Sequence, residues 1–446
     1  FFSQSYAMGV QGFQKWCAAK FPEAYVALYD RDRTNVDHVY IDLNAYIHNA
    51  CRRCWNETNA IQQLFKMLRT ILRQVQPRFS FHLMVDGPAP VAKLYEQRQR
   101  RANAKQSSSA KSAVPGYHIT PGTAFMRTLT QALHYFCCQY LSGTQAPAGL
   151  QAFVSPSGSA GEGEVKITNA VIAKCRQHPD HTHVFVGGDS DGILLGMASL
   201  VPNVYVYCKG DANKTACLSH LKLLEGILHN IYPAPHTPAF LDQSSASLFR
   251  LDFLILTTLA GNDYLPPVAT RFDANFHAFV ALQYPEPRHL MKVCGGGPTE
   301  PAGHKRKRQR TAHARHTSTT PVCVAVDFAN YLALLQQIGD AGPPTTGADV
   351  EEYLWGLTWL ANMYINGLCI EHAYWCPDKR ISLGAIRAYL EGLQAAPGPD
   401  GGTMLDDLER RTVERAAGCI ASVGHDAPLA PLKFLLSLLG PAHADA

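Results

Sequence analysis

The chain reads as an α/β protein built on an open, mainly parallel sheet, and two observations carry that reading. Apolar runs of strand length recur at Val39-Tyr40-Ile41, Phe81 to Val85 and Val184 to Val186. Each is followed at once or within a few residues by aspartate: Asp42, Asp86, and Asp189 with Asp191. β-Branched runs of this length suit buried strands, and in an open parallel sheet the ligand site lies beyond the carboxyl ends of the strands. Several strands would therefore deliver acids to one rim. Two further stretches feed the same inventory, the glycine-relieved turn Gly161-Glu162-Gly163-Glu164 and the triplet Gly261-Asn262-Asp263 after the apolar run Leu251 to Ala260. The candidate site is thus Asp42, Asp86, Glu162, Glu164, Asp189, Asp191 and Asp263.

Seven carboxylates do not share a cleft unaided. At an effective dielectric near 20, like charges about 4 Å apart repel by about 4 kcal/mol per pair, so such acids either protonate or are neutralised by cations. Oxygen donors without His or Cys suit hard ions such as Mg²⁺ or Mn²⁺, and two such ions roughly 4 Å apart form a clamp for in-line phosphodiester hydrolysis. Read from the residues alone, the pattern implies metal-assisted nuclease chemistry with two ions.

Composition bounds the alternatives. The 446 residues are 46% hydrophobic and 17% charged, a globular balance with room for two or three domains. Net charge is only +4, so there is no polycationic signature, and an acidic centre leaves the surplus positive charge elsewhere on the surface. The 13 cysteines have no regular spacing, and the single pair Cys51 and Cys54 lacks a second pair of zinc ligands, so ordinary thiols in a reducing compartment are expected. No apolar run reaches the roughly 18 to 20 residues of a membrane span, and no membrane partner is expected. Met8 is a plausible original start, which makes residues 1–7 a tag or extension.

The remaining elements follow in order. Pro90 to Gln106 is rich in helix formers, and Lys93, Gln97, Arg100 and Arg101 share one helical face as a cationic stripe. Thr120-Pro121 is a helix-start signal, followed by the apolar stripe Phe125, Leu129, Leu133 and Phe136. Ser142 to Ala160, rich in Gly, Ala, Ser and Pro, reads as a loop. The expected domains are 8–290, a nuclease domain; 291–320, a disordered insertion with the basic run Lys305 to Arg310; and 321–446, an abbreviated second region with strand or helix material at Val324 to Leu335 and Tyr353 to Ile365.

Taken together, these motifs resemble the Xrn-type 5'-to-3' exoribonuclease family. The matching stretches are Met8-Gly9-Val10 with Phe13 and Trp16, Tyr40-Ile41-Asp42-Leu43-Asn44 with Ile47-His48-Asn49, and Val85-Asp86-Gly87 with Pro90, Lys93, Gln97, Arg100 and Arg101. They continue with Ile119 to Thr123, Gly161 to Glu164 with Lys166, Gly188-Asp189-Ser190-Asp191 and Gly261 to Pro266. The resemblance implies a Rossmann-like (PIN/flap-nuclease-like) nuclease domain with a mainly parallel sheet and a smaller, mostly helical second conserved region. It implies that the seven acids bind Mg²⁺ or Mn²⁺. It further implies that Lys93, Gln97, Arg100 and Arg101 form a pocket for a 5'-monophosphate and that His48 stacks on the terminal base. The implied substrate is single-stranded RNA with a 5'-monophosphate, cut processively to mononucleotides.

The chain departs from the family in places. Val165 stands where the family has histidine, and Ile370-Glu371-His372-Ala373-Tyr374-Trp375 replaces a Ser-Trp-Ser-Trp stretch. The second region is short, so a protein partner that completes it is one expectation. The basic run Lys305 to Arg310 suggests the nucleus, with the cytoplasm as the alternative. Two rival functions stand beside the main one: a noncatalytic RNA-binding scaffold derived from such nucleases, and a structure-specific flap or DNA nuclease.

Overall fold

The computed structural model describes residues 10, 12–27, 36–94, 96–98, 114–187, 191–208, 216–233, 243–294, 321–338, 347–376 and 381–423. Its centre is a seven-stranded sheet made of β1 (Tyr25–Ala27), β2 (His38–Asp42), β3 (Ser80–Met84), β4 (Gln151–Ser155), β5 (His183–Val186), β6 (Val204–Cys208) and β7 (Ala216–Ser219). The strand order is β1-β7-β6-β5-β2-β3-β4. β2 pairs in parallel with β3 and β5, which pair in parallel with β4 and β6, and only β7 and β1 run antiparallel. The mainly parallel α/β sheet is as expected.

Every residue of β2, β3 and β5 is buried, which is why these strands read as unbroken apolar runs rather than alternating ones. Successive side chains still part to opposite faces. Val39, Ile41, Phe81, Leu83, Val184 and Val186 pack with the helices Asn44–Arg52, Glu57–Val75 and Ala124–Leu141. Tyr40, Met84 and Phe185 join the other core, with Gly163–Gln177, Asp191–Ala198 and the helices beyond residue 320.

Three local readings are corrected. The segment read as a loop contains β4, which pairs with β3 in register from Ser80↔Gln151 to Met84↔Ser155. Its half-exposed edge position, with no continuous apolar run, hid it. The helix expected from Thr120-Pro121 begins at Ala124, because Thr123 is the cap and its Oγ1 accepts from Met126 N at 3.4 Å. Residues 291–294, counted with the insertion, are ordered, and β8 (Met291–Val293) pairs antiparallel with β9 (Val324–Val326). Residues 295–320, including the basic run, lie outside the described residues.

The second region is helical after β9, with Phe328–Ile338, Gly347–Asn366, Leu383–Ala395 and Met404–Ala421. Its long helix carries an i, i+4 row of polar residues that ties off the edge of β9. Thr358 Oγ1 accepts from Val326 N at 3.3 Å, and Asn362 accepts from Val324 N at 3.0 Å while donating to Val324 O at 2.7 Å. Asn366 repeats that two-way pairing with Val322 at 2.8 Å each way. Side chains thus satisfy backbone groups that a third strand beside β8 and β9 would otherwise take. Just past this helix, Gly367 has φ +64° and a Cβ there would lie 2.3 Å from Asn169 N, so glycine lets the long helix close onto Gly163–Gln177.

A histidine cluster closes the amino-terminal end of the sheet. His38 Nδ1 lies 2.7 Å from Ser80 Oγ and its Nε2 2.9 Å from His181 Nδ1; Ser80 Oγ reaches His82 Nε2 at 2.9 Å, and Tyr40 OH reaches His183 Nδ1 at 3.1 Å. Burial first, then mutual repulsion and the Lys174 charge, push His38 down to about 4 and His82 and His183 to about 3, with Asp37 opposing this at His38. Because these folded-state values lie below the unfolded value, the unfolded chain binds more protons between roughly pH 6.5 and 4, and stability is lost as pH falls through that window. We expect unfolding free energy from urea titration to drop on the order of 4 kcal/mol from pH 7.5 to pH 5. His82→Leu should flatten that slope, and an unchanged slope would show that the cluster does not set it.

Candidate active site

At the opposite end of the sheet the strands point their carboxyl ends at one rim. Asp42 closes β2 in register with Met84 of β3, so Asp86, two residues on, leaves from the same edge. Ile41 is in register with Val186 of β5, from which the chain runs on to Asp191, the first residue of its helix. Asp189 lies outside the described residues.

Glu162 and Glu164 come from the start of the Gly163–Gln177 helix, with Glu162 at its N-cap. The rim and this helix are clasped by backbone bonds, Gly87 N to Gly161 O and Gly161 N to Pro88 O, each 2.9 Å. Lys166, one turn in, donates to Val85 O at 2.8 Å and Pro156 O at 3.0 Å. Burial lowers Lys166 to about 8 against the pull of Asp86 and Asp42.

Gly163 is where the two strand-end aspartates meet the helix. Asp86 Oδ1 accepts from Gly163 N at 2.7 Å, and a Cβ on Gly163 would lie 2.6 Å from Asp42 Oδ1 and 3.3 Å from Asp86 Oδ1. Only hydrogen fits there, and the positive end of the helix is brought directly onto both carboxylates. Burial and the neighbouring Glu162 still raise Asp86 to about 6, with the Gly163 N–H, Lys93 and Lys166 opposing.

Asp263 arrives differently from the strand-borne acids. The run Leu251 to Ala260 lies in the helix Gln243–Thr258 and the turn that follows it. Asn262 Oδ1 then accepts from Tyr264 N at 2.9 Å and Leu265 N at 2.8 Å, a side-chain turn that aims Asp263 back at the rim. There the Lys93 ammonium pairs with both Glu162 Oε1, at 2.8 Å, and Asp263 Oδ2. Lys93 also lies 5.3 Å above the Tyr264 ring, and the Tyr264 hydroxyl donates to Glu162 Oε2.

The second region supplies a wall. Tyr364 of the long helix is fully buried, and its hydroxyl is held well above the usual range by burial and then by the charges of Asp191, Glu164, Asp263 and Glu162. One buried hydroxyl therefore senses four of the acids at once. Trp359 meets Tyr264 edge-on at 5.4 Å and Tyr374 at 4.7 Å, and Val91 N donates to His372 O at 2.9 Å. That last bond fastens the start of the basic helix to the segment Ile370 to Trp375.

Six of the seven expected acids are described, and they fall into neighbouring groups: Asp42 with Asp86 at Gly163, Glu162 with Asp263 on Lys93, and Glu164 with Asp191 toward Tyr364. Among the described residues no three His, Cys, Asp or Glu side chains converge as a ready coordination set. Of the basic stripe, Lys93 is buried and turned toward the acids, Gln97 is half-buried, and Arg100 and Arg101 lie outside the described residues. His48 is half-buried on the helix that begins two residues after Asp42. Reading by residue type missed Lys166, Tyr264 and Tyr364. Lys166 and Tyr264 stood inside the quoted motifs, each within two residues of an acid, whereas Tyr364 has no acid nearer in sequence than Glu371 and only the fold brings it to the rim.

The site thus belongs to a mainly parallel α/β domain whose strand ends gather carboxylates beneath a helix N-terminus. Residues 8–208 match the family described as XRN 5'-3' exonuclease N-terminus, so that in this part the chain is similar to Xrn-type exonucleases. Among the relatives are a 5'-3' exoribonuclease 2 homolog of Drosophila melanogaster, 28% identical over 250 residues, which are 44% of this chain and 27% of that one. Another is the 5'-3' exoribonuclease 1 of Homo sapiens, 28% identical over 217 residues, 43% of this chain and 13% of the relative. The chain thus spans about a quarter or less of the length of these relatives. Among solved structures, the catalytic core of Rad2 in complex with a DNA substrate aligns at a TM-score of 0.36 and 16% identity over 61% of this chain and 69% of that one. The T5 D15 protein co-crystallised with metal ions aligns at 0.31 and 11% over 85% and 99%. No argument rests on likenesses this distant.

The contact at Gly163 is open to test. Gly163→Ala should destabilise the fold by about 2 kcal/mol through forced displacement of Asp42. By contrast Gly418→Ala, in the helix Met404–Ala421 with nothing within 4 Å of the new Cβ, should stabilise by up to about 1 kcal/mol. Equal effects in paired urea titrations would deny the close approach.

Proposed function

We propose that the chain is a Mg²⁺- or Mn²⁺-dependent 5'-to-3' exoribonuclease that hydrolyses single-stranded RNA from a 5'-monophosphate end to mononucleotides. The observation that carries this reading is the gathering of six acids on one rim with a cation, the Lys93 ammonium, seated between Glu162 and Asp263. A cation is stable at that position, and the donors around it are carboxylate oxygens, which suits a hard divalent ion. Asp42, Asp86 and Glu162 would hold mainly one ion and Asp189, Asp191 and Asp263 the other, with Glu164 between them. Such ions supply an activated water and neutralise charge on the scissile phosphate.

The chain's own residues do the rest. Lys166 fixes the Val85 and Pro156 carbonyls and so sets the strand end from which Asp86 projects. Tyr264 and Tyr364, both held protonated by burial among acids, keep water from the inner side of the rim, and Tyr264 gives a hydrogen bond that orients Glu162. Lys93, Gln97, Arg100 and Arg101 form the pocket for the terminal phosphate, where an arginine fork donates to two oxygens at a time. His48 stacks on the first base. The proposed domains are a nuclease domain over 8–290, a basic insertion over 291–320 whose first residues form β8, and a second region over 321–446. The nucleus follows from the Lys305 to Arg310 run, and a protein partner would complete the short second region.

A time course on 5'-monophosphate, 5'-triphosphate and 5'-hydroxyl RNA, beside single-stranded DNA and a flap, tests the reading. Mononucleotides should appear only from 5'-monophosphate RNA and only without EDTA. RNA binding with no product in Mn²⁺ would instead indicate a scaffold, and preferential flap cutting a structure-specific nuclease. Replacing Asp86 with Ala should lower the rate at least 100-fold, about 3 kcal/mol of barrier, while leaving RNA affinity within a few fold. Arg101→Ala should slow degradation of 5'-monophosphate RNA more than it weakens binding of 5'-hydroxyl RNA; parallel losses would remove Arg101 from the pocket.

A further inference from the structure

We propose that Lys93 is a displaceable counter-ion for Glu162 and Asp263, competing with a divalent ion for these two carboxylates, so that metal loading and capture of the RNA 5' end are coupled through one side chain. This rests on the metal-nuclease reading above. Its own basis is geometric. The Lys93 side chain is 6% exposed, and those of Glu162 and Asp263 are 9% and 8%. The ammonium bridges Glu162 Oε1 and Asp263 Oδ2, and the Tyr264 ring lies beneath it at 5.3 Å. Two buried acids facing each other require a positive charge, and a buried ammonium requires acids, so the trio is stable only together.

A divalent ion on either of these carboxylates provides more charge than the ammonium does, and an ion and an ammonium that share a carboxylate repel each other. One must leave. Lysine is the residue built to leave, a compact charge on a flexible four-carbon stem. Gln97 lies one helical turn further along the same face as Lys93, so an ammonium released from the acids has the phosphate-binding face of its own helix within reach. Metal binding therefore frees the group that the terminal phosphate needs, and by linkage a bound phosphate favours metal loading by the same factor.

The test is a Mn²⁺ titration of the full chain by calorimetry, with melting curves in EDTA and in Mn²⁺. Lys93→Met should bind Mn²⁺ at least tenfold more tightly than wild type. It should melt lower in EDTA and recover in Mn²⁺, while Lys93→Arg stays near wild type in affinity. Unchanged or weaker Mn²⁺ binding by Lys93→Met overturns the inference. Should Lys93→Met fail to fold in EDTA, acylation of the wild-type protein by an amine reagent, read by mass spectrometry, decides. Lys93 should be protected in EDTA and labelled in Mn²⁺, and equal protection in both overturns the proposal. Wild type that cleaves RNA and binds Mn²⁺ with no effect at Lys93 sinks this inference alone. Absence of Mn²⁺ binding by every form sinks the metal reading with it.

Discussion

Everything at the carboxyl rim depends on one electrostatic constraint, that acids buried side by side need positive charge of fixed position. The structure meets it in three ways within a few residues. The Gly163 N–H and helix dipole face Asp86 and Asp42, the Lys93 ammonium bridges Glu162 and Asp263, and Lys166 sits behind Asp86. Each is only a partial answer, as the elevation of Asp86 to about 6 attests. Residual repulsion of this kind among buried carboxylates favours cations, which is the physical ground of the proposed chemistry.

The second region belongs to this site rather than to a separate module. Its long helix packs on Gly163–Gln177, Asp191–Ala198 and Gln243–Thr258, the three helices that carry or precede Glu164, Asp191 and Asp263. Trp359 seats against Tyr264, Tyr364 faces the acids, and the His372 carbonyl holds Val91 at the head of the basic helix. Of the aromatics in the segment Ile370 to Trp375, Tyr374 is buried against Trp359, while Trp375 is 43% exposed. The fold thus divides these neighbouring rings between core and surface.

What was legible in the sequence was whatever a strand's periodicity or a repeated acid could announce. β2, β3 and β5 are buried on both faces, so their runs stand out, and the acids after them mark the functional rim. β4 was not legible because an edge strand with one neighbour needs no continuous apolar run, and β8 because three residues carry too little pattern. Asp263 was expected at the rim and lies there, yet a helix and an Asn262 turn deliver it. Nor could spacing foretell that Lys93 pairs with two acids distant in sequence. That choice is made by tertiary charge, which a local pattern does not contain.

The two ends of the sheet pose one problem and solve it oppositely. At the amino end His38, His82, His181 and His183 crowd together, and at the carboxyl end the acids do. Histidine escapes repulsion by staying neutral, which at pH 7 costs little because its unperturbed value is near 6.5. Carboxylates have no such exit, since neutrality at pH 7 would require raising each by about three units against its ordinary value near 4. Asp86 reaches only about 6 and so stays largely ionised at pH 7, while the histidine end sheds its charge. The histidine end is therefore self-sufficient, a closed structural cluster. At the acidic end charge stays and is answered by fixed cationic groups, the Lys93 ammonium between Glu162 and Asp263 among them.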